Sequence, residues 1–588
     1  MLQRRARPSR QQIAGIKSVP APIGGLNARD GYAEMPPQDA VILENWFPMP
    51  SYVMPRNGCA LWATGLGAAV RTLACYSHPS GSRKLFAVAG GTLYDVTTQA
   101  APGVALVSGL TSSSWQAVNF GAGGGEYLVM VNGQDPMMIY NGSGWQAVGN
   151  GTGASIATGS ASGTTVTITT ATAHGLAAGN LVTITGATPS AYNVSGASIT
   201  VTGTNTFTYI AASAPGGPMT ATGTYTYTPS ITGVSTSALV SVNAFASRLF
   251  FVEKNSMRAW YLPLNSVGGT AQYLDFSSMT LLGGALQAMA TWTLETTSGS
   301  VELACFLTTE GEIIMYQGND PAYAASWYRV GTFRVGRPVG YRCTVKIGSD
   351  VAVICADGLV PLSKAVLSDR QSRSIAISDK IVNLINTDVQ SYSGYDGWQV
   401  LLHPIGNKVI VNVPAPDGTY QYVMNTLNGS WAKFTGWAAN TWALMGDMLF
   451  FGASGAVYRA DIGNSDAGQP IRTKVVQAPN YFGGPQQKEF TLARPVMTSD
   501  GPIHLALDIN ADFDMTPPYA VTDFVTGSYT YWGAPWYSPW SAVERVYKDW
   551  YSTSAIGYSG SIAMAMAVQG ANVRWQATDV QFQPGGPL

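Results

Sequence analysis

The sequence predicts an all-β chain with a β-propeller-like body, a small β-domain inserted into that body, and a C-terminal β-sandwich. Three observations predict it. Charged residues fill 11% of the 588 positions, against a usual ~25%, while Gly (66 residues) and aromatics (11%) are plentiful. That mixture suits short strands joined by tight turns. An apolar run, a turn and a second apolar run recur along the chain, and only one stretch has a helical pattern.

Residues 1–20 form a basic arm with Arg4, Arg5, Arg7, Arg10 and Lys17 and almost nothing apolar, a composition that cannot fold alone. A disordered tail, a DNA contact and a peptide docking on a neighbouring subunit all fit it. Docking on another protein is preferred, because four arginines give little salt-resistant affinity for DNA. Residues 21–58 are rich in Pro and Gly, which forbids long helices and predicts an extended segment lying along other structure.

The recurrent motif occupies 84–96, 127–141, 248–262, 302–317, 350–363 and 448–461, and KVIVNVPAPDGTYQYVMN (408–425) adds a further hairpin. Each reads as two strands reversed at Gly, Asn or Asp. With 150–230 set aside, the copies recur on the scale of propeller blades, roughly 40–60 residues. Blades are therefore expected over 59–149 and 231–464, with two stacked sandwiches as the competing architecture. Closing a ring would also leave these many short strands with few open edges.

Residues 150–230 are nearly all Gly, Ala, Ser, Thr and Val in strict alternation, which predicts the inserted β-domain. The one helical pattern is 368–387, with Ser378 as a cap and Ile381, Leu384 and Ile385 on one face. Longer strands from 465 to 588 predict the sandwich.

A balance of 32 Lys and Arg against 33 Asp and Glu gives no footprint for phosphate tracking. So sparsely charged a surface points to cover by neighbouring subunits. The five cysteines lack CxxC spacing and read as buried small hydrophobes of a reducing compartment. No apolar stretch approaches the ~18 residues of a membrane span, and the basic N-terminus lacks the apolar core of a signal peptide.

No catalytic, cofactor or metal residue is assigned, and no enzymatic activity is expected. His78, His174, His403 and His504 have no acidic or Cys neighbour at ligand or triad spacing and read as structural. Asp508, Asn510, Asp512 and Asp514 imitate the start of a calcium loop. Phe513 replaces the required Gly, however, and Tyr519 stands where a bidentate Glu is needed, so the polar face of a strand is the better reading. Trp532, Trp536 and Trp540 sit in a Tyr/Trp-rich run that either packs over the sandwich, anchors an interface or stacks on sugars.

Two stretches resemble known proteins. Gly24-Gly25-Leu26-Asn27, Met35-Pro36-Pro37 with Asp39-Ala40, Asn45-Trp46-Phe47-Pro48 and Arg56 with Gly58 look like the N-terminal signature of structural proteins from tailed bacteriophages. The closing DVQFQPGGPL echoes the same family. In the insertion, Ala173-His174-Gly175-Leu176, Gly179-Asn180, Val182-Thr183-Ile184 and Asn205-Thr206-Phe207-Thr208 resemble a β-module recurrent in phage tail proteins. That module takes its label from ubiquitin-activating enzymes, without their chemistry.

The nearest role implied by the resemblance is the tail nozzle, or tail tubular protein, of short-tailed phages (podoviruses). It implies a virion protein made in the bacterial host cytoplasm and forming a six-fold homo-oligomeric ring. The ring would meet the head-to-tail adaptor and the tail fibre or tail-tip proteins, with DNA passing through its lumen without specific binding. Arg4, Arg5, Arg7, Arg10, Trp532, Trp536 and Trp540 are the candidate protein contacts. Two alternatives stay open: a minor tail protein that binds a host-surface glycan, and a glycan-degrading propeller enzyme. The second lacks the repeated Ser-x-Asp-x-Gly-x-Thr-Trp boxes of sialidase-like propellers.

Overall fold

A computed structural model of the chain describes residues 14–99, 104–122, 125–149, 151–174, 176, 180–296, 299–367, 376–501, 503–518, 525–526 and 545–585. The chain is all-β, and its body is a propeller of seven antiparallel sheets. Blade 1 runs Val70–Ser77, Arg83–Ala89, Thr92–Asp95 and Val104–Val107; blade 2 runs Gln116–Ala122, Gly125–Val131, Met137–Tyr140 and Trp145–Val148. Blade 3 comprises Leu239–Phe245, Arg248–Glu253, Arg258–Tyr261 and Gln272–Asp275, and blade 4 Leu286–Thr296, Gly299–Thr308, Glu312–Gly318 and Trp327–Arg334. Among the described residues, blade 5 has three strands, Thr344–Ile347, Asp350–Cys355 and Gly358–Pro361. Blade 6 is Gln399–His403, Lys408–Val413, Tyr420–Asn425 and Trp431–Phe434. Blade 7 is Thr441–Met445, Met448–Gly452 and Val457–Ala460, completed by Cys59–Ala63 from ahead of blade 1. That last pairing bolts the ring shut. First strands of successive blades pack side by side, except that blade 4's first strand meets the second strand of blade 5, and blade 7 meets blade 1 again, which excludes two stacked sandwiches.

Every copy of the recurrent motif is the second and third strand of one blade. These strands read as continuous apolar runs because both of their faces are covered. Leu128 and Met130 pack toward blade 1 while Val129 and Val131 pack toward blade 3. Leu249 and Phe251 likewise turn to blade 2, and Phe250 and Val252 to blade 4. The period of two thus feeds alternate side chains into successive inter-blade layers.

The inserted domain consists of a four-stranded sheet (Ile156–Ser162, Thr165–Thr170, Thr206–Ile210, Thr200–Gly203) and a three-stranded one (Val194–Ser198, Leu181–Thr188, Ala221–Thr228). Between them lies a separate core that includes Ile168, Ile184, Tyr192, Phe207 and Tyr225. The domain leaves and re-enters the propeller at one point, where Gly149 bridges Ser230.

Two sequence expectations about chain ends need correction. Gly15–Pro20, expected to order only against a partner, pairs antiparallel with Val573–Pro584. The sandwich is likewise not built from 465–588 alone. One of its sheets takes the hairpin Trp46–Pro48 and Val53–Pro55 beside Val573–Pro584 and Lys488–Ser499. The other places Asp39–Glu44 against Ile471–Gln477, followed by Gly560–Gln569 and Leu505–Ala511. Asp39–Glu44 also bridges to Trp431–Phe434, so this sheet continues blade 6.

The helix lies later than its pattern suggested. Residues 368–375 are outside the described residues, a 3₁₀ turn covers Asp379–Ile381, and the α-helix is Val382–Tyr392. Ser378 does not cap it, because its hydroxyl accepts from Leu359 N at 2.9 Å. This helix and a shorter one, Leu362–Leu367, fill the space beside three-stranded blade 5.

Candidate functional site

The residues of the Gly24–Gly58 motif converge where the propeller closes against the sandwich. Asp39, fully buried, accepts hydrogen bonds from Asn27 Nδ2 (2.8 Å) and from Lys380 Nζ (2.8 and 3.0 Å). A side chain on Gly24 would put its Cβ 1.9 Å from the Asp39 carboxylate, so glycine is required there. Gly25 has φ +85° and lies against the Trp431 backbone.

Further on, Asn45 donates to Thr435 Oγ1 (2.9 Å) and Arg472 O (2.7 Å), while its Oδ1 accepts from Arg56 Nε (2.9 Å). Trp46 packs on Trp575 at 5.7 Å between centroids. The Arg56 guanidinium, at 0% side-chain exposure, forms a two-pronged pair with Asp466 (2.8 and 2.6 Å). It also donates to Thr435 O at 2.6 Å and lies 4.6 Å over the Trp437 ring. Such a buried charge is tolerable only because a carboxylate and backbone oxygens replace its water. Gly58 passes so close to Ser465 O that a Cβ would sit 1.8 Å away.

Beside this latch, the structure brings together a cluster that the sequence spacing missed. His403 was read as lacking an acidic neighbour, yet its Nε2 faces Asp461 Oδ2 at 3.4 Å. Lys408 Nζ reaches the same oxygen at 2.9 Å, and Asn57 Nδ2 donates to Asp461 Oδ1 at 3.0 Å. Burial would raise the Asp461 carboxyl, but His403 and Lys408 outweigh it and hold the pKa at about 2. These groups line a pocket of about 460 Å³ between blades 6 and 7 and the N-terminal hairpin, walled by Phe47, Met49, Met54 and Met448. Only the fold joins the ends of a blade 6 hairpin and a blade 7 strand, so no local signal in the sequence could have found it.

His174 accepts from Leu176 N at its Nδ1 (3.0 Å), which leaves Nε2 to donate to Gly203 O (3.0 Å); burial lowers its pKa and keeps it neutral. His78 contacts Ser80, and His504 is exposed. Asn180, from the module signature, docks the insertion by donating to Ala147 O of blade 2 at 2.8 Å. Asp512 and Asp514 are occupied by backbone N–H groups of Tyr558 and Thr516. No group of three His, Cys, Asp or Glu among the described residues could hold a metal. The candidate contacts Arg4, Arg5, Arg7, Arg10, Trp532, Trp536 and Trp540 lie outside the described residues.

On the propeller axis, the first strands of blades 1 to 4 and 6, with residues at the start of blade 5, enclose a pocket of about 300 Å³. Arg342 crosses it, donating to Gln399 Oε1 (3.1 Å), Thr441 Oγ1 (2.6 Å) and Arg71 O (2.8 Å).

No family model and no curated protein matches the chain. Among solved structures, it is similar to a Bacteroides uniformis protein with a provisional 6-phosphogluconolactonase assignment, at 12% identity over 62% of this chain and 92% of that one, TM-score 0.27. It is also similar to YCF48 from Cyanidioschyzon merolae (10% identity, 70% and 97% covered, TM-score 0.23). A third likeness is to the WD40 domain of SCAP from fission yeast (8%, 66% and 84%, TM-score 0.24). TM-scores this low carry no argument about the chain, and its propeller is read from its own strand pairing.

Proposed function

We propose that the chain is a non-enzymatic structural subunit of a short-tailed bacteriophage's tail nozzle. In this reading, copies form a ring below the head-to-tail adaptor that retains the genome and encloses the ejection channel. The observation that carries it is how the signature is used: Asn27, Asp39, Asn45, Arg56 and the glycines between them fasten the ring closure to the sandwich. Buried intrachain contacts of this kind would stiffen each subunit, which supports a role as a load-transmitting wall.

The axial pocket of one propeller holds only about 300 Å³ and is crossed by Arg342, which leaves no room for a DNA duplex. The channel would lie between copies. Exposed apolar side chains such as Val104 (73%) and Leu281 (90%) supply surface for neighbours to cover.

The test is light scattering and electron-microscope class averages of the purified protein, alone and mixed with adaptor rings from a short-tailed phage. A closed ring that caps the adaptor is expected. A monomer or trimer indifferent to the adaptor would overturn the nozzle reading in favour of a host-binding tail protein.

A further inference from the structure

We propose that the pocket on the propeller axis binds a small oxyanion, a carboxylate or a phosphate, on the guanidinium of Arg342.

Arg342 is held in place by three other blades. Its Nη1 donates to Gln399 Oε1 of blade 6 (3.1 Å) and to Thr441 Oγ1 of blade 7 (2.6 Å), and its Nη2 to the backbone oxygen of Arg71 in blade 1 (2.8 Å). Gln399 is itself fixed, because its Oε1 accepts from Trp442 N and its Nε2 donates to Trp442 O, each at 2.9 Å. A guanidinium has five N–H donors, so the Nε hydrogen and one on Nη2 remain for a ligand. Unlike the Nε atoms of Arg248 and Arg459, that of Arg342 is not sealed from solvent.

The charge of Arg342 is not matched within the fold. Its three partners are neutral, and it forms no ion pair among the described residues. Burial pulls its pKa down, with Asp396 opposing the shift. Asp396 is engaged elsewhere, by Arg71 at 3.3 Å and by the Ser114 hydroxyl at 2.9 Å. Arg71, Arg342 and Asp396 together leave a positive charge at the axis, and no carboxylate lines the pocket among the described residues.

The wall around Arg342 carries polar groups that the fold leaves unused. Ser241 is 5% exposed, and its hydroxyl, without a hydrogen-bond partner among the described residues, is not sealed in and opens on the pocket. Gln116 and Thr344 line the same space, and their side chains likewise make no hydrogen bond among the described residues. Asn243, by contrast, is occupied by Met289 O and Ala244 N. An oxyanion supplies acceptors for these donors and the missing negative charge at once, and charge-assisted bonds to a guanidinium are strong and planar. A volume of about 300 Å³ suits a phosphate or a small carboxylic acid.

The inference concerns a single chain and stands apart from the nozzle reading. The full-length protein is titrated by calorimetry with inorganic phosphate and with malonate, at an ionic strength held constant with chloride. Saturable binding is expected, with a rise in melting temperature. A higher affinity for phosphate assigns the site to phosphoryl groups, and a higher affinity for malonate to carboxylic acids. Arg342→Gln should weaken binding at least about tenfold. Because Arg342 also ties blades 6, 7 and 1 together, Ser241→Ala and Thr344→Val test the site independently of folding. Neither removes a side-chain hydrogen bond of the fold, and each should weaken binding about tenfold with unchanged melting of the free protein. Absence of saturable binding of both anions, or binding that survives Arg342→Gln, or binding indifferent to both Ser241→Ala and Thr344→Val, overturns the proposal.

Discussion

Arg56 and Asp461 each show what a single buried charge can do when its partners come from distant parts of the chain. Removing the Arg56 side chain would strand Asp466 and three backbone or amide oxygens. Arg56→Ala is expected to cost about 3–5 kcal/mol in denaturant unfolding. Arg56→Lys should recover little of it, because an ammonium cannot reproduce the fork. Asp461 has a folded pKa of about 2 against 3.8 for the free side chain, so the folded state binds its proton less readily than the unfolded one. Its contribution, about 2 kcal/mol, is complete above the unfolded pKa and is lost as pH falls from about 4 toward 2. Acid unfolding of Asp461→Asn should lack that component, and the variant and parent should converge in stability near pH 2. Cys59, Cys305, Cys343 and Cys355 are buried, as their apolar runs suggested, and burial pushes their thiols up, whereas Cys75 is only half-buried.

At the scale of elements, the blades were legible because their middle strands have both faces covered. Runs such as Leu85-Phe86-Ala87-Val88-Ala89 are apolar throughout, with Phe86 and Val88 in one inter-blade layer and Leu85, Ala87 and Ala89 in the next. First and outer strands, such as Val104–Val107 with its exposed side chains, have no such run and were not individually legible. The helix was legible from Ser378 on, since Ile381, Leu384 and Ile385 do face the core, whereas its 3₁₀ opening turn and its continuation to Tyr392 were not. The insertion makes its own prediction. Its entry and exit are joined by Ile231 N donating to Gly149 O at 2.7 Å. Replacing 152–228 with a short Gly/Ser linker should leave the propeller folded, with β-type circular dichroism and an unchanged melting temperature for the remaining domains. A collapse of that transition would show that the insertion props up blades 2 and 3.

Across the whole molecule, the two ends of the chain are woven together. Gly15–Pro20 lies on Val573–Pro584, Asp39–Glu44 joins the sandwich to blade 6, and Cys59–Ala63 closes blade 7. The sandwich shares one large core with blades 4 to 7, blades 1 to 3 pack through separate inter-blade layers, and the insertion keeps its own core. Calorimetry should therefore record one cooperative transition for propeller and sandwich, with the insertion melting separately; separate transitions for sandwich and propeller would contradict this coupling. By itself the sequence determined the all-β class, the number and identity of the blade hairpins and the site of the insertion. Those features are written in local alternation and turn residues, within the reach of neighbouring side chains. Tertiary structure alone decided that the N-terminal segment completes both the ring and the sandwich, that Arg56 finds Asp466, and that His403, Asp461 and Arg459 share a pocket. Such pairings depend on ring closure, which sets residues hundreds of positions apart against each other by geometry that no short stretch encodes.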